Sequence, residues 1–497
     1  MSRLTRLLTA ALMTIPSLAS GQAPKVGPPR GTVIVVGGGA MGPEVYQAFI
    51  TAAGGPDALI VDIPTAGGAA TYAQDDPSAR AWRNAGAHHV VVLHTTDRKI
   101  ADSDSFPAIL ASAGGVWFEG GRQFHLVDSY AGTKTEQAFH DVLARGGVTG
   151  GSSAGATILG DFLVRGAPSN DNMIMDDPRY EKGFAFLRGV GIDQHVVARE
   201  RLADLADSIM PKHPELLGMS EDEGTAWVVR GDTATIIGRN KAFAYGGSAH
   251  DPGKPFLTLH PGDRYNLGAR TVLHRAIDGS PVTAGFVDGL FAKYSNPAAG
   301  GATVLVARGG DVLIDRSFGI PDQPKFMPTT TVPLFSIGSI SSVFTGLCGQ
   351  FPPAPAGRGT SDSTGRGRGG AGTPPMTALQ SCVARRISTP IGMHKTNATA
   401  EGDVRSDVDE LYRLALGLER PTTFSRDSTH PFDYAAGWQA SRCGGVTCYA
   451  AYGTAAGKRS AFLRVPDRQI SVIILTNDNA ADAKGIADRI VKRLQPQ

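Results

Sequence analysis

Between about residues 31 and 160, short β-branched apolar runs alternate with longer amphipathic stretches. The runs fall at Thr32–Val36, Ala58–Ile63, His89–Leu93, Val116–Phe118 and Gly147–Thr149, which is the rhythm of βαβ units and a parallel sheet. Strand-like segments at Thr225–Arg230, Thr233–Ile237 and Lys241–Tyr245 extend that layer toward a mixed or antiparallel edge, and a first domain closes near residue 275. A helix-like link, Val287–Tyr294, leads to a predicted β-hairpin in which Arg308-Gly309-Gly310 joins Ala302–Ala307 to Asp311–Ile314. Residues 352–375 are too poor in apolar side chains to repay the entropy of ordering, and are expected to form a disordered loop.

The amino terminus changes the expected compartment. A basic start (Met1 to Arg6), a short apolar stretch from Leu7 to Ala19 and a small-residue exit (Ala19-Ser20-Gly21-Gln22-Ala23) read as a secretory signal peptide. The expected organisation is therefore a leader at 1–23, a domain at 24–275 and a second at 284–497, with the mature chain periplasmic or secreted and without a membrane span. A formal charge of +2 with no basic stripe argues against nucleic acid as a partner. The four cysteines, Cys348, Cys382, Cys443 and Cys448, allow two disulfides in three pairings; Cys443-Gly-Gly-Val-Thr-Cys448 suggests a local hairpin staple rather than a metal site. A homo-oligomer is left open.

Candidate chemistry begins at Gly151-Ser152-Ser153-Ala154-Gly155, which satisfies G-x-S-x-G. In such an elbow a strand turns sharply into a helix, lifting one hydroxyl clear of the sheet and turning helix amides toward it. Ser153 is the candidate nucleophile. A serine needs a base, and His195 is the leading candidate, in Gly191-Ile192-Asp193-Gln194-His195; His94, His125, His140 and His213 are the weaker alternatives. Gly120-Gly121 ends another strand in a glycine turn that could offer a second oxyanion amide, with Gln123 close by for substrate. A competing signal is Gly37-Gly38-Gly39-Ala40-Met41-Gly42, which fits G-x-G-x-x-G with Asp62 at a ribose-contact distance downstream, the pattern of a nucleotide-dependent oxidoreductase.

Four motifs in register decide between these readings. Phe118-Glu-Gly-Gly-Arg-Gln123, the Gly-Gly-Ser-Ser-Ala-Gly-Ala elbow, Ile192-Asp-Gln-His195 with Arg199 and Arg201, and Leu217-Gly-Met-Ser-Glu-Asp-Glu-Gly-Thr-Ala226 resemble cyanophycinase and related serine exopeptidases of peptidase family S51 over roughly residues 30–250. The resemblance implies a three-layer α/β fold like that of class I glutamine amidotransferases, no metal or cofactor, and cleavage of peptide or isopeptide bonds near an aspartyl residue. It makes Ser153 the nucleophile, His195 the base, and Gln123, Asp193, Gln194, Arg199 and Arg201 substrate-binding; the elbow and the glycine turn themselves make the amides of Ala154 and Gly121 the expected oxyanion donors. Its acidic member falls at Glu223, with Asp171 as runner-up from the dipeptidase branch. One departure stands out: the family's third arginine is Asp204 in this sequence.

Residues 284–497 resemble the α+β fold of serine β-lactamases and penicillin-binding proteins, on the segments 302–319, Phe335-Ser-Ile-Gly-Ser-Ile-Ser-Ser342, Pro390-Ile-Gly-Met393, Gly437-Trp438 and 462–477. That family needs S-x-x-K, whereas Ser339-Ile-Ser-Ser342 puts a hydroxyl where the amine belongs, so a degenerate domain that binds or shields something is expected. The rival to an enzyme is a binding protein for acidic peptides or cell-wall fragments.

Overall fold

The computed structural model describes residues 23–168, 174, 177–296, 300–319, 334–350, 376–419, 434, 437–455 and 458–495. The expected leader, Ala23 aside, the expected loop at 352–375 and the runner-up Asp171 lie outside them.

The described residues of the first half contain fourteen strands. They are β1 (Thr32–Val36), β2 (Leu59–Ile63), β3 (His89–Val92), β4 (Gly115–Phe118), β5 (Val148–Ser152), β6 (Gly160–Phe162) and β7 (Leu187–Gln194). There follow β8 (Leu217–Glu221), β9 (Thr225–Arg230), β10 (Thr233–Gly238), β11 (Ala242–Tyr245), β12 (Phe256–Leu259), β13 (Arg264–Asn266) and β14 (Thr271–His274). Nine form one sheet in the order β14-β13-β10-β9-β1-β5-β4-β2-β3. Its β1-β5-β4-β2-β3 part is parallel, and from β9 outward the pairing is antiparallel.

Strand β1 shows why the centre of this sheet reads as an unbroken apolar run. Val33 and Val35 enter one core with Leu126, Phe139 and Val142, whereas Ile34 and Val36 enter another with Phe49, Trp82 and Trp117. Helices Pro43–Ala53 and Pro77–Asn84 cover the second face, and Gln123–Tyr130 and Lys134–Ala144 the first. A strand covered on both faces has no polar side to show.

Thr225–Arg230 and Thr233–Ile237 extend the layer as expected: β9 pairs antiparallel with β1, and β10 with β9, toward the antiparallel edge. The third segment needs correction. Residues 242–245 leave the layer altogether and join a second sheet, β12-β11-β8-β7-β6, where Phe243 and Tyr245 pack with Phe162 and Phe256. Strand β5 also runs three residues beyond the expected Gly147–Thr149, to Ser152, and so delivers the elbow at its carboxyl end.

The second half adds β15 (Ala302–Arg308), β16 (Asp311–Phe318), β17 (Phe335–Ser336), β18 (Asn397–Ala398), β19 (Val404–Ser406), β20 (Gln439–Cys443), β21 (Val446–Ala455), β22 (Lys458–Val465) and β23 (Ile470–Thr476). Six of these form an antiparallel sheet, β16-β15-β23-β22-β21-β20. Leu305, Ile473 and Leu475 face helix Val408–Leu418 on one side, and Val304, Val472 and Ile474 face helix Ala483–Leu494 on the other. The expected link is two pieces, helix Ala284–Leu290 and a 3-10 turn at Ala292–Ser295. Disulfides join Cys348 to Cys382 and Cys443 to Cys448. No helix among the described residues is long and apolar enough to cross a membrane.

The two halves meet through buried charge. Lys241 Nζ lies 2.5 Å from Asp315 and 3.1 Å from Asp409. Burial works against that ammonium, and the two carboxylates outweigh it and hold its pKa above the usual lysine value.

Candidate active site

Ser153 caps the helix Ala154–Thr157 with φ 58° and ψ −116°, a left-handed backbone that a residue with a Cβ adopts only when its surroundings impose it. Its amide donates to the Val36 carbonyl at 3.0 Å, and its carbonyl accepts from Ala156 and Thr157. The flanking glycines are required by space. A Cβ on Gly151 would lie 2.1 Å from the Gly155 carbonyl oxygen, and one on Gly155 would lie 2.0 Å from that of Phe118. Gly120 closes the other side, where a Cβ would sit 3.3 Å from that of Ser153.

His195 follows β7 and is likewise left-handed, at φ 57°. Its amide donates to the Gly37 carbonyl at 3.0 Å. Nε2 lies 2.9 Å from Ser153 Oγ and Nδ1 lies 2.6 Å from Glu223 Oε1. Burial pushes the Glu223 carboxyl up, but hydrogen bonds from His195 and His394 outweigh it and hold the pKa below the usual carboxylate range. An ionised carboxylate only accepts, so the proton of a neutral imidazole belongs on Nδ1, which leaves the Nε2 lone pair facing the serine hydroxyl.

The glycine-rich turn after β1 has a different use from the one its pattern suggested. A Cβ on Gly39 would meet Glu223 Oε2 at 2.5 Å, and the Gly38 carbonyl accepts from Gly224 at 2.9 Å. Asp62 is fully buried, takes a hydrogen bond from Ser78, and is pushed well above the usual carboxylate range by burial. The turn therefore packs against His195 and Glu223, and Asp62 has no surface to offer a ribose.

The expected substrate residues divide into two groups. Gln123 is buried at the start of its helix with neither amide atom hydrogen-bonded, and the Gln194 side-chain oxygen is equally unsatisfied. One terminal nitrogen of Arg201 is buried without a partner, and burial together with neighbouring Arg165 lowers its pKa. Arg199 is exposed. Asp193 is a correction: it is fully buried, and Arg165 takes both its oxygens at 2.8 Å, so it faces an arginine and not an open pocket. Arg165 reaches Asp204 as well, at 2.5 Å, which ties the departure at position 204 to a cation the sequence had not singled out.

The weaker histidines have other surroundings. His94 bonds Thr65, His140 stacks on Phe186, His213 packs on Phe162, and His125 lies against Gly68. Sequence reasoning missed His394, whose Nε2 lies 2.5 Å from Glu223 Oε2, and also Asn240 and Arg413, which surround Asp222. No local motif marks them, because they arrive from distant parts of the chain. Among the described residues no group of His, Cys, Asp and Glu is arranged to hold a metal ion.

The sequence profile of peptidase family S51 matches residues 33–237. The cyanophycinase of Synechococcus elongatus is 31% identical over 272 residues, covering 50% of this chain and 83% of the relative. That of Geminocystis herdmanii is 31% identical over 261 residues, covering 48% and 94%. Among solved structures, a peptidase from an acI-B1 actinobacterium aligns with a TM-score of 0.38 at 22% identity, over 48% of this chain and 97% of its own. An octameric penicillin-binding protein homologue from Pyrococcus abyssi aligns with a TM-score of 0.30 at 13% identity, over 42% and 75%. The chain belongs to peptidase family S51. It is a serine-type peptidase.

Proposed function

We propose that this protein is an exported exopeptidase of the cyanophycinase type that hydrolyses peptide or isopeptide bonds near aspartyl residues through an acyl-enzyme. The observation that carries the reading is the unbroken line Ser153 Oγ, His195 Nε2, His195 Nδ1, Glu223 Oε1, with the serine held in left-handed backbone. Attack of Ser153 Oγ on the scissile carbonyl passes its proton to His195, and the amides of Ala154 and Gly121 receive the oxyanion. Collapse breaks the C–N bond as His195 returns the proton to the leaving amine. Water then repeats the sequence on the acyl-serine, and Glu223 holds the imidazole throughout.

The unsatisfied polar atoms of Gln123, Gln194 and Arg201 support a substrate rich in hydrogen-bonding groups, and Arg201 supports one with a carboxylate. The engagement of Arg165 with Asp193 and Asp204 favours a substrate other than cyanophycin itself. Helices on both faces of a mixed sheet are in keeping with a glutamine amidotransferase-like fold for residues 24–275. The antiparallel sheet of residues 302–476 is in keeping with a β-lactamase-like one. In that half Ser342 stands where the S-x-x-K amine belongs and its hydroxyl donates to the Ser339 carbonyl at 2.7 Å, which supports a non-catalytic domain. Two disulfides and the basic-apolar start support export.

Intact-mass analysis after fluorophosphonate treatment tests this, with Ser153→Ala and Ser339→Ala as controls and a panel of α- and β-linked aspartyl peptides as substrates. One adduct, lost only with Ser153, together with cleavage of panel peptides, is the expected result. Saturable peptide binding with neither adduct nor cleavage would overturn it in favour of a binding protein. An adduct on Ser339 would reinstate a second active site.

A further inference from the structure

Glu223 is held from two sides by residues from opposite halves of the chain. Its Oε1 bonds His195, and its Oε2 lies 2.5 Å from Nε2 of His394, whose side chain is 43% exposed. His394 lies between the short helix Thr389–Ile391 and β18. The Glu410 carboxylate pins that loop by accepting the amides of His394, Lys395 and Thr396 at 3.2, 3.1 and 3.0 Å. Glu410 and Arg413 share the helix Val408–Leu418.

Arg413 carries the connection to the opposite side of the site. It donates to Asn240 at 3.2 Å and pairs with Asp222 at 3.3 Å. Asp222 accepts the amides of Val197 and Ala198, two and three residues after His195, while Asn240 donates to the Glu223 carbonyl at 2.8 Å. The backbone on which both His195 and Glu223 depend is thus tied to residues 392–413.

We infer that His394 is a positioning residue for the peptidase centre: its Nε2–H holds the second oxygen of Glu223, so that the first faces His195. The second half of the chain thereby completes a site whose nucleophile lies in the first. This inference rests on the reading of Ser153, His195 and Glu223 given above. A carboxylate with one partner can rotate about its terminal bond, and a second donor on the other oxygen fixes its plane and hence the imidazole it orients. The charged groups facing His394 are Glu223, Glu410 and Arg413, with Lys395 next in the chain. The Glu223 hydrogen bond and charge, with Glu410, raise the His394 pKa above the ordinary histidine value, while burial and Arg413 work against it.

The test uses full-length protein labelled with [13Cε1]-histidine, in the wild type and in Glu223→Gln, His394→Ala and His394→Gln. By NMR, His394 should titrate above ordinary histidine in the wild type, and its midpoint should fall in Glu223→Gln. On a peptide the wild type cleaves, His394→Ala should lower kcat about tenfold with KM little changed. His394→Gln, whose amide can still donate to Oε2, should recover most of the loss. An unchanged His394 midpoint in Glu223→Gln, wild-type turnover in His394→Ala, or equal losses in Ala and Gln would each overturn the inference. A wild type that takes no fluorophosphonate at Ser153 would overturn the peptidase reading instead, and the NMR titration would then decide the His394–Glu223 contact by itself.

Discussion

A Cβ on Gly38 would lie 2.1 Å from Cε1 and 2.4 Å from Nε2 of His195, and Gly38 already has φ +93°. The imidazole occupies the space that a side chain there would need. Gly38→Ala should therefore displace the ring from Ser153 and lower kcat by about 100-fold, the scale of a misplacement near 1 Å. Fluorophosphonate labelling should slow in proportion. Titration with nicotinamide and flavin cofactors should show no saturable binding at this turn; a saturable signal lost in Gly38→Ala would return the dinucleotide reading.

Arg165 and Asp193 form a fully buried pair, and Asp204 is the more exposed third member. Arg165→Leu should cost about 3–5 kcal/mol, because it strands a carboxylate away from water. Asp204→Asn should cost about 1 kcal/mol or less, since solvent screens that partner. Urea melts of the two variants, with Asp193→Asn added to Arg165→Leu as a partial rescue, test the ordering. Equal costs would contradict it.

Asp407 caps the helix that carries Glu410 and Arg413, accepting the Glu410 amide at 2.8 Å. Burial, with Asp409 and Glu410 nearby, pushes its carboxyl up to about 7. A pKa raised on folding stabilises the fold at low pH, and that contribution is lost as pH rises from the ordinary value of 3.8 through about 7. Asp407→Asn keeps the cap and cannot ionise. Its advantage over the wild type should be near zero at pH 4 and on the order of 1 kcal/mol or more at pH 8, measured as melting temperature against pH. The reverse trend would show that Asp407 is ionised in the native protein.

The two disulfides close loops of different length, with sequence separations of 34 and 5. Loop-closure entropy sets their contributions at about 4 kcal/mol for Cys348–Cys382 and about 2 kcal/mol for Cys443–Cys448. Replacing each pair by serine and comparing unfolding midpoints should show the larger loss for the first. Equal losses would point to strain or to residual structure in the unfolded chain.

Much of the site was legible because its parts are local. The elbow around Ser153, the segment ending in His195 and the Asp222-Glu223-Gly224 turn each lie within a few residues, and each carries its own pattern of glycines and polar positions. The parallel strands were legible for the same reason, since burial on both faces writes a continuous apolar run. The resemblance put Asp193 among the substrate residues, and only Arg165, 28 residues away, shows that it faces inward.

What the sequence alone determined is the chemistry on offer: a serine in a glycine-lined turn, a histidine and a carboxylate in the order and spacing of peptidase family S51. Tertiary structure decided which distant groups act on that chemistry. It set the glycines of the first turn against His195, sent residues 242–245 into a second sheet, and brought His394 to Glu223 across 171 positions of chain. Spacing and periodicity report on neighbours within one element. Contacts between elements depend on how buried faces and buried charges are matched in the folded core, and that matching leaves no local mark on the chain.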